Sequence, residues 1–174
     1  MSNVWFTADT HFGHTNIIRF SNRPFSSVED MDETLIQRWN ERVKPDDVVW
    51  HLGDFAFHKS KEQLITLFNR LNGHKCLITG NHDHSDTRRL LWTNIKTLTT
   101  LNLDKMPIVL CHYGMRVWDR SHHGSVHLYG HSHNTLPGDN QSLDVGVDCW
   151  DFRPVNIDEI RARLKTLPVR PKEF

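Results

Sequence analysis

The stretch Lys75-Cys76-Leu77-Ile78-Thr79-Gly80-Asn81-His82-Asp83 is an apolar run that stops at a glycine and opens into polar side chains able to hold a cation or carry a proton. Residues 75–79 read as a β-strand. Just upstream, residues 60–71 read as a helix, with Leu64, Leu67, Phe68 and Leu71 aligned and Asn72-Gly73 as its stop. Residues 48–52 form another apolar strand, and it too ends in a glycine and a carboxylate, Gly53-Asp54. Further out, residues 26–43 place Val28, Met31, Leu35, Ile36, Trp39 and Val43 on one helical face. Ser27 and Asp30 make a capping-box pattern there, while Glu29, Asp30, Asp32 and Glu33 put negative charge on the positive end of the helix dipole. Residues 3–8 supply the first strand. Strands alternating with helices in this way predict βαβ units and a largely parallel sheet.

The second half reads differently. Residues 95–101, 106–111, 126–129 and 143–149 are strand-like with short connections, which predicts antiparallel or mixed pairing. Residues 156–167 close the chain as a helix capped by Asn156, with Ile157, Ile160, Leu164 and Leu167 as its buried stripe. No internal repeat, low-complexity tract or linker interrupts the pattern, so residues 1–174 are expected to form one α/β domain with mixed sheet. Lys plus Arg and Asp plus Glu each number 21, so no overall field recruits nucleic acid or an anionic membrane. No apolar stretch approaches the ~20 residues of a spanning helix, and the start of the chain has no signal-peptide pattern. Cys76, Cys111 and Cys149 are an odd, scattered set read as buried thiols rather than a disulfide framework. A soluble, cytoplasmic protein is the expectation.

Histidine stands out, with 13 residues. Five polar clusters each follow a predicted strand: Asp9-Thr10-His11, Gly53-Asp54, Gly80-Asn81-His82-Asp83, His112, and Gly130-His131-Ser132-His133. Ligand sites assemble at the carboxyl ends of strands in open α/β sheets, so the five loops are expected to converge. On extended backbone, Asp9 and His11 would face one way, and His131 and His133 would repeat that geometry. With Asp54, Asn81 and His112 the set reaches four imidazoles, two carboxylates and one amide oxygen, enough for two adjacent divalent metals. Mixed nitrogen and oxygen donors suit manganese first, with iron, zinc or nickel as alternatives. Gly53, Gly80 and Gly130 precede the ligands as candidate tight turns.

With these five motifs in this order, the chain resembles the calcineurin-like metallophosphoesterase family over nearly its whole length. The resemblance implies a four-layer sandwich of two mixed β-sheets flanked by helices. It implies that Asp9, His11, Asp54 and His133 hold one metal, and that Asp54, Asn81, His112 and His131 hold the other, with Asp54 bridging. His82 is similar to the family histidine that stabilises the transition state or protonates the leaving oxygen. The implied reaction is hydrolysis of a phosphate ester by a metal-bridging hydroxide. Gly53-Asp54 continues Phe55-Ala56-Phe57-His58, so Phe57 stands where the protein phosphatase branch has a second Asp, and Asp83 stands where it has Glu. The chain therefore looks more like the bacterial and phage phosphodiesterase branch.

The expected substrate is a phosphate ester, a nucleotide or nucleic-acid end among the candidates, with no membrane association and no obligate protein partner. A broad phosphomonoesterase and a non-catalytic metal-binding or interaction protein on the same fold are the competing readings. Of Asn16, Arg19 and Arg23, one arginine could clamp phosphate or simply lie on the surface. His14, His58, His84, His122, His123 and His127 read as supporting or surface residues. Trp118, between Arg116 and Arg120, could stack on substrate or anchor its loop.

Overall fold

The computed structural model describes residues 2–57 and 60–171. Four parallel strands, β1 (Val4–Thr7), β2 (Val48–His51), β3 (His74–Ile78) and β4 (Asn94–Lys96), lie in the order β4-β3-β2-β1. A short β9 (Val155–Asn156) adds antiparallel to β1. In a second sheet, β5 (Leu98–Leu103) pairs antiparallel with β6 (Met106–Cys111), and β7 (Val126–Tyr129) and β8 (Ser142–Asp144) continue in parallel. Both sheets are mixed and helices flank them, as the resemblance implies.

Strand alternation sends side chains into two cores. Trp5 and Val49 point one way, to Met31, Leu35, Ile36 and Trp39 of α2 (Val28–Arg42) and Leu64, Leu67 and Phe68 of α3 (Lys61–Arg70). Phe6, Trp50, Cys76 and Ile78 point the other way, against Ile108, Leu110, Val126 and Leu128 of the second sheet. Helix α5 (Ile157–Leu164) seats Ile160 and Leu164 in that second core. Each such buried side chain contributes roughly 1.5–3 kcal/mol; that packing holds α3, whose 10 residues would not stay helical alone. Its Ser60 and Gln63 complete a capping box, as do Asn156 and Glu159 on α5. Ser27 caps α2 by accepting from the Asp30 backbone N–H, but the Asp30 carboxylate turns to Ser26 instead of closing the expected box.

Two strand expectations change. The single strand predicted at 95–101 is two strands in different sheets, because the chain crosses from the first sheet to the second at Thr97. The strand predicted at 143–149 stops at Asp144; Val147–Cys149 is a 3-10 turn, since the chain must bend where Gly146 passes Asp9, an added Cβ there lying 2.7 Å from Asp9 Oδ2. Helices α1 (Thr15–Phe20) and α4 (Ser85–Arg88) lack an apolar stripe long enough to read. All three cysteines are free, Cys76 buried and the other two half-buried. Among the described residues, no helix is long and apolar enough to cross a membrane.

Candidate metal centre

The carboxyl ends of β1, β2 and β3 in one sheet and of β6 and β7 in the other point to one place. Backbone bonds stitch the loops together there: Asp9 N to Gly53 O at 2.9 Å, His11 N to Asp54 O at 3.0 Å, Gly130 N to His112 O at 2.9 Å and Val147 N to Ala8 O at 3.0 Å. Asp9, His11, Asp54, His131 and His133 all adopt the left-handed conformation, with φ between 45° and 67°. The expected extended geometry is therefore wrong for both pairs. Asp9 and His11 still converge, but His131 and His133 part company and serve different groups. Left-handed backbone at non-glycine residues is a cost that clusters at functional sites.

Two groups result. One ligand atom each from Asp9, His11 and His133 lie within 4.8 Å of one another, and so do those of Asp54, His112 and His131. Asp54 reaches across: its Oδ2 is 3.6 Å from His11 Nε2 and 3.5 Å from His112 Nε2. The Asn81 side-chain amide oxygen, Oδ1, lies 3.1 Å from His112 Nε2, beside the second group. His82 donates its backbone N–H to Asp54 Oδ1 at 2.9 Å, and its ring stands 5.5 Å from that of His11.

The electrostatics fit cations. Asp9 Oδ1 and both ring nitrogens of His11 are buried with no hydrogen-bond partner, which is rare unless something else binds them. Burial holds His11 down to about 2, so it is a neutral imidazole and its contact with Asp54 is no ion pair. Burial, then the charges of Asp144, Asp54 and Asp148, push the Asp9 carboxyl well above its usual range. Burial opposes charge on Asp54, yet its hydrogen bond and attraction to His112 keep it below the ordinary value. His112 moves up correspondingly, since these same contacts outweigh burial. His112 Nδ1 faces Leu52 O at 2.7 Å and His133 Nδ1 faces Asp148 Oδ2 at 2.8 Å, so both rings can present Nε2 inward. Crowded acids around imidazoles make a donor set that divalent cations would balance.

The glycines act mostly by approach. Gly53 does need its φ of +97°, but at Gly80 and Gly130 an added Cβ would fall 2.2 Å from Asp54 Oδ1 and 2.6 Å from the Ala8 Cβ. Asp83, which reads as a variant motif position, is fully buried and accepts from the backbone N–H groups of Asp54 and Phe55 at 2.9 Å and Gly80 at 2.8 Å. Arg23 is neither a phosphate clamp nor a surface residue; it is buried and forks onto Asp148. Trp118 anchors its loop, its indole N–H reaching Ser125 and its ring 5.2 Å from that of buried His127. His14 stands near His11, rings 5.4 Å apart. His84, His122 and His123 are exposed, and His58 lies outside the described residues.

Sequence reasoning missed Asp144 and Asp148, which sit in the strand assumed to run through 149. Asp144 accepts from the Ser132 hydroxyl at 2.6 Å and from the Gly146 N–H at 2.6 Å. It also missed the His51 ring, which lies 2.9 Å from the Thr10 hydroxyl.

Residues 3–147 match the profile of the calcineurin-like phosphoesterase superfamily domain. An uncharacterized protein of Methanocaldococcus jannaschii is 33% identical over 171 residues, 92% of this chain and 90% of that one. The gene 66 protein of Mycobacterium phage D29 is 33% identical over 195 residues, covering 92% of this chain and 95% of its own. In solved structures, a protein of unknown function from Aquifex aeolicus superposes with a TM-score of 0.75 at 21% identity, over 94% of this chain and 100% of that one. A structure described as a novel archaeal phosphodiesterase gives 0.50 at 19% identity, over 83% and 82%.

Proposed function

The chain belongs to the calcineurin-like phosphoesterase superfamily, and on that premise we propose that it is a metal-dependent phosphodiesterase acting on a nucleotide-type phosphodiester. The observation that carries the reading is the reach of Asp54 Oδ2 to both ligand groups, 3.6 Å from His11 and 3.5 Å from His112. In this reading Asp9, His11, Asp54 and His133 hold one divalent cation, and Asp54, Asn81, His112 and His131 the other. Mixed nitrogen and oxygen donors suit manganese, iron, zinc or nickel, and manganese is the ion proposed. When bound, such a pair activates water for in-line attack on phosphorus and neutralises charge on the phosphoryl oxygens.

The chain's own residues do the rest. The carboxylates and imidazoles orient the site, and no side-chain nucleophile is needed. His82 stands at the rim, where its imidazole would give a proton to, or hydrogen-bond, the departing oxygen. Arg23 is buried with its donors committed to protein groups and offers none to a phosphate, so the diester reading rests on the resemblance to the phosphodiesterase branch. The exposed ring of Tyr113, 45% accessible and 4.9 Å from both the His112 and His131 rings, offers a face for a nucleobase. Three free cysteines accord with a reducing, cytoplasmic setting.

The test is hydrolysis by stripped protein reloaded with manganese, comparing a chromogenic phosphodiester with the matching monoester and using Asp54→Asn as the blank. Faster Asp54-dependent cleavage of the diester is expected, and chelator should remove it. Faster cleavage of the monoester would reverse the preference, and no cleavage of either by protein holding two metals would argue for a binding protein.

His82→Ala is expected to keep its manganese and lose turnover by ~100-fold, most with poor leaving groups. Equal losses across leaving groups would assign the ring to phosphate binding instead.

A further inference from the structure

Arg23 follows α1 and turns inward, its backbone N–H held by Ile18 O at 2.8 Å. Its Nε donates to Asp148 Oδ1 at 2.8 Å and its Nη2 to Asp148 Oδ2 at 2.9 Å. The same Nη2 donates to Asp9 O at 2.7 Å, while Nη1 donates to Thr10 O at 3.1 Å and contacts Met31 Sδ at 3.4 Å. A guanidinium has five N–H donors, and all are used. Asp148 Oδ2 also takes the Nδ1 side of His133 at 2.8 Å. One buried ion pair therefore grips both the backbone that carries Asp9 and the ring of His133, 125 positions from Arg23 to Asp148. None of these bonds touches Asp54, His112 or His131.

We propose that Arg23 and Asp148 are positioning residues for the Asp9–His11–His133 group alone, holding His133 in the Nδ1–H form so that Nε2 faces inward, and fixing the strand end that aims Asp9. The proposal rests on the metal reading above and adds an asymmetry that reading does not contain. A carboxylate behind a ligating imidazole is typically worth 10–100-fold in metal affinity. Lys cannot replace Arg23, because an ammonium cannot fork onto a carboxylate while also reaching two carbonyls.

The experiment is manganese binding to metal-stripped wild type, Asp148→Ala and Arg23→Lys, with bound metal per chain counted and free ion followed by electron paramagnetic resonance. Histidine side-chain nitrogen NMR on the same stripped proteins reads the tautomer. Wild type should bind two manganese ions and show His133 protonated on Nδ1. Asp148→Ala should lose one site, weakened 10–100-fold, keep the other within about two-fold, and shift His133 away from the Nδ1–H form, a change that general loosening would not produce. Arg23→Lys should weaken the same site and serves as the deciding variant if Asp148→Ala does not fold. Two sites of unchanged affinity in a folded variant, or equal weakening of both with the tautomer unmoved, would overturn the pairing while leaving the metal reading intact. Wild type that binds no manganese would overturn both.

Discussion

Asp54→Asn is expected to lower turnover of the manganese-loaded protein by at least ~10³-fold, to strip metal from both groups, and to leave the fold in place. Asparagine is nearly isosteric and tolerates the left-handed backbone at this position, where φ is 58°. The amide has one acceptor where the carboxylate has two. Its oxygen is drawn to the His82 N–H, the present partner of Oδ1 at 2.9 Å, which turns the NH₂ toward His11 and His112. Donors then face the place where cations would sit. Removing one oriented charge-stabilising group commonly costs 10²–10³, and here one atom serves both groups. The charge of Asp54 also contributes to raising Asp9, so its loss relieves repulsion in the metal-free protein. The substitution also removes the attraction that holds the Asp54 carboxyl low and His112 high, so stripped Asp54→Asn should melt modestly below stripped wild type, while manganese no longer raises its melting temperature. Turnover at the wild-type level, or two tightly bound ions, would refute the bridging role.

The parts of this site that were legible in the sequence were those with a local signal. Asp9, Asp54, Asn81, His112, His131 and His133 each follow an apolar run, so their convergence can be read from strand order alone. Their backbone conformation could not be, because nothing in Asp9-Thr10-His11 announces a left-handed turn without glycine. The carboxylates that organise the loops were hidden for a different reason. Asp83 reaches 28 and 29 residues back in the chain, and Asp148 reaches 125 back to Arg23. Separations of that size leave no periodicity to detect. The two strands at 94–103 merged for want of a turn residue at Thr97, although the exposed side chains of β4 mark it as an edge.

Asp83→Ala should damage the protein in the opposite way, through the fold rather than the chemistry. Its carboxylate satisfies three buried backbone donors, from Asp54, Phe55 and Gly80, and so ties the β2 loop to the β3 loop. The two loops are pressed together, an added Cβ on Gly80 falling 2.6 Å from the Asp54 backbone N, so water has little room to replace the lost oxygens. Each orphaned donor costs about 1–3 kcal/mol. Burial raises the Asp83 pKa despite these bonds, so deleting the carboxylate returns part of that cost. A net loss of roughly 3–5 kcal/mol is a large share of the ~5–15 kcal/mol that holds a domain together, and at about 2–4 °C per kcal/mol it lowers melting by around 10–15 °C. Asp83→Asn should fall between, since the oxygen can keep the Asp54 and Gly80 donors while its NH₂ confronts that of Phe55. Asp83→Glu adds a methylene to a fully buried side chain, and should also destabilise. Thermal melting of the stripped proteins ranks the series; an alanine variant that melts within about 2 °C of wild type would show that the loops hold without this carboxylate. Asp54 keeps its place only while Asp83 holds the backbone beneath it, so manganese binding should weaken across the series in step with melting, whereas in Asp54→Asn the two are uncoupled.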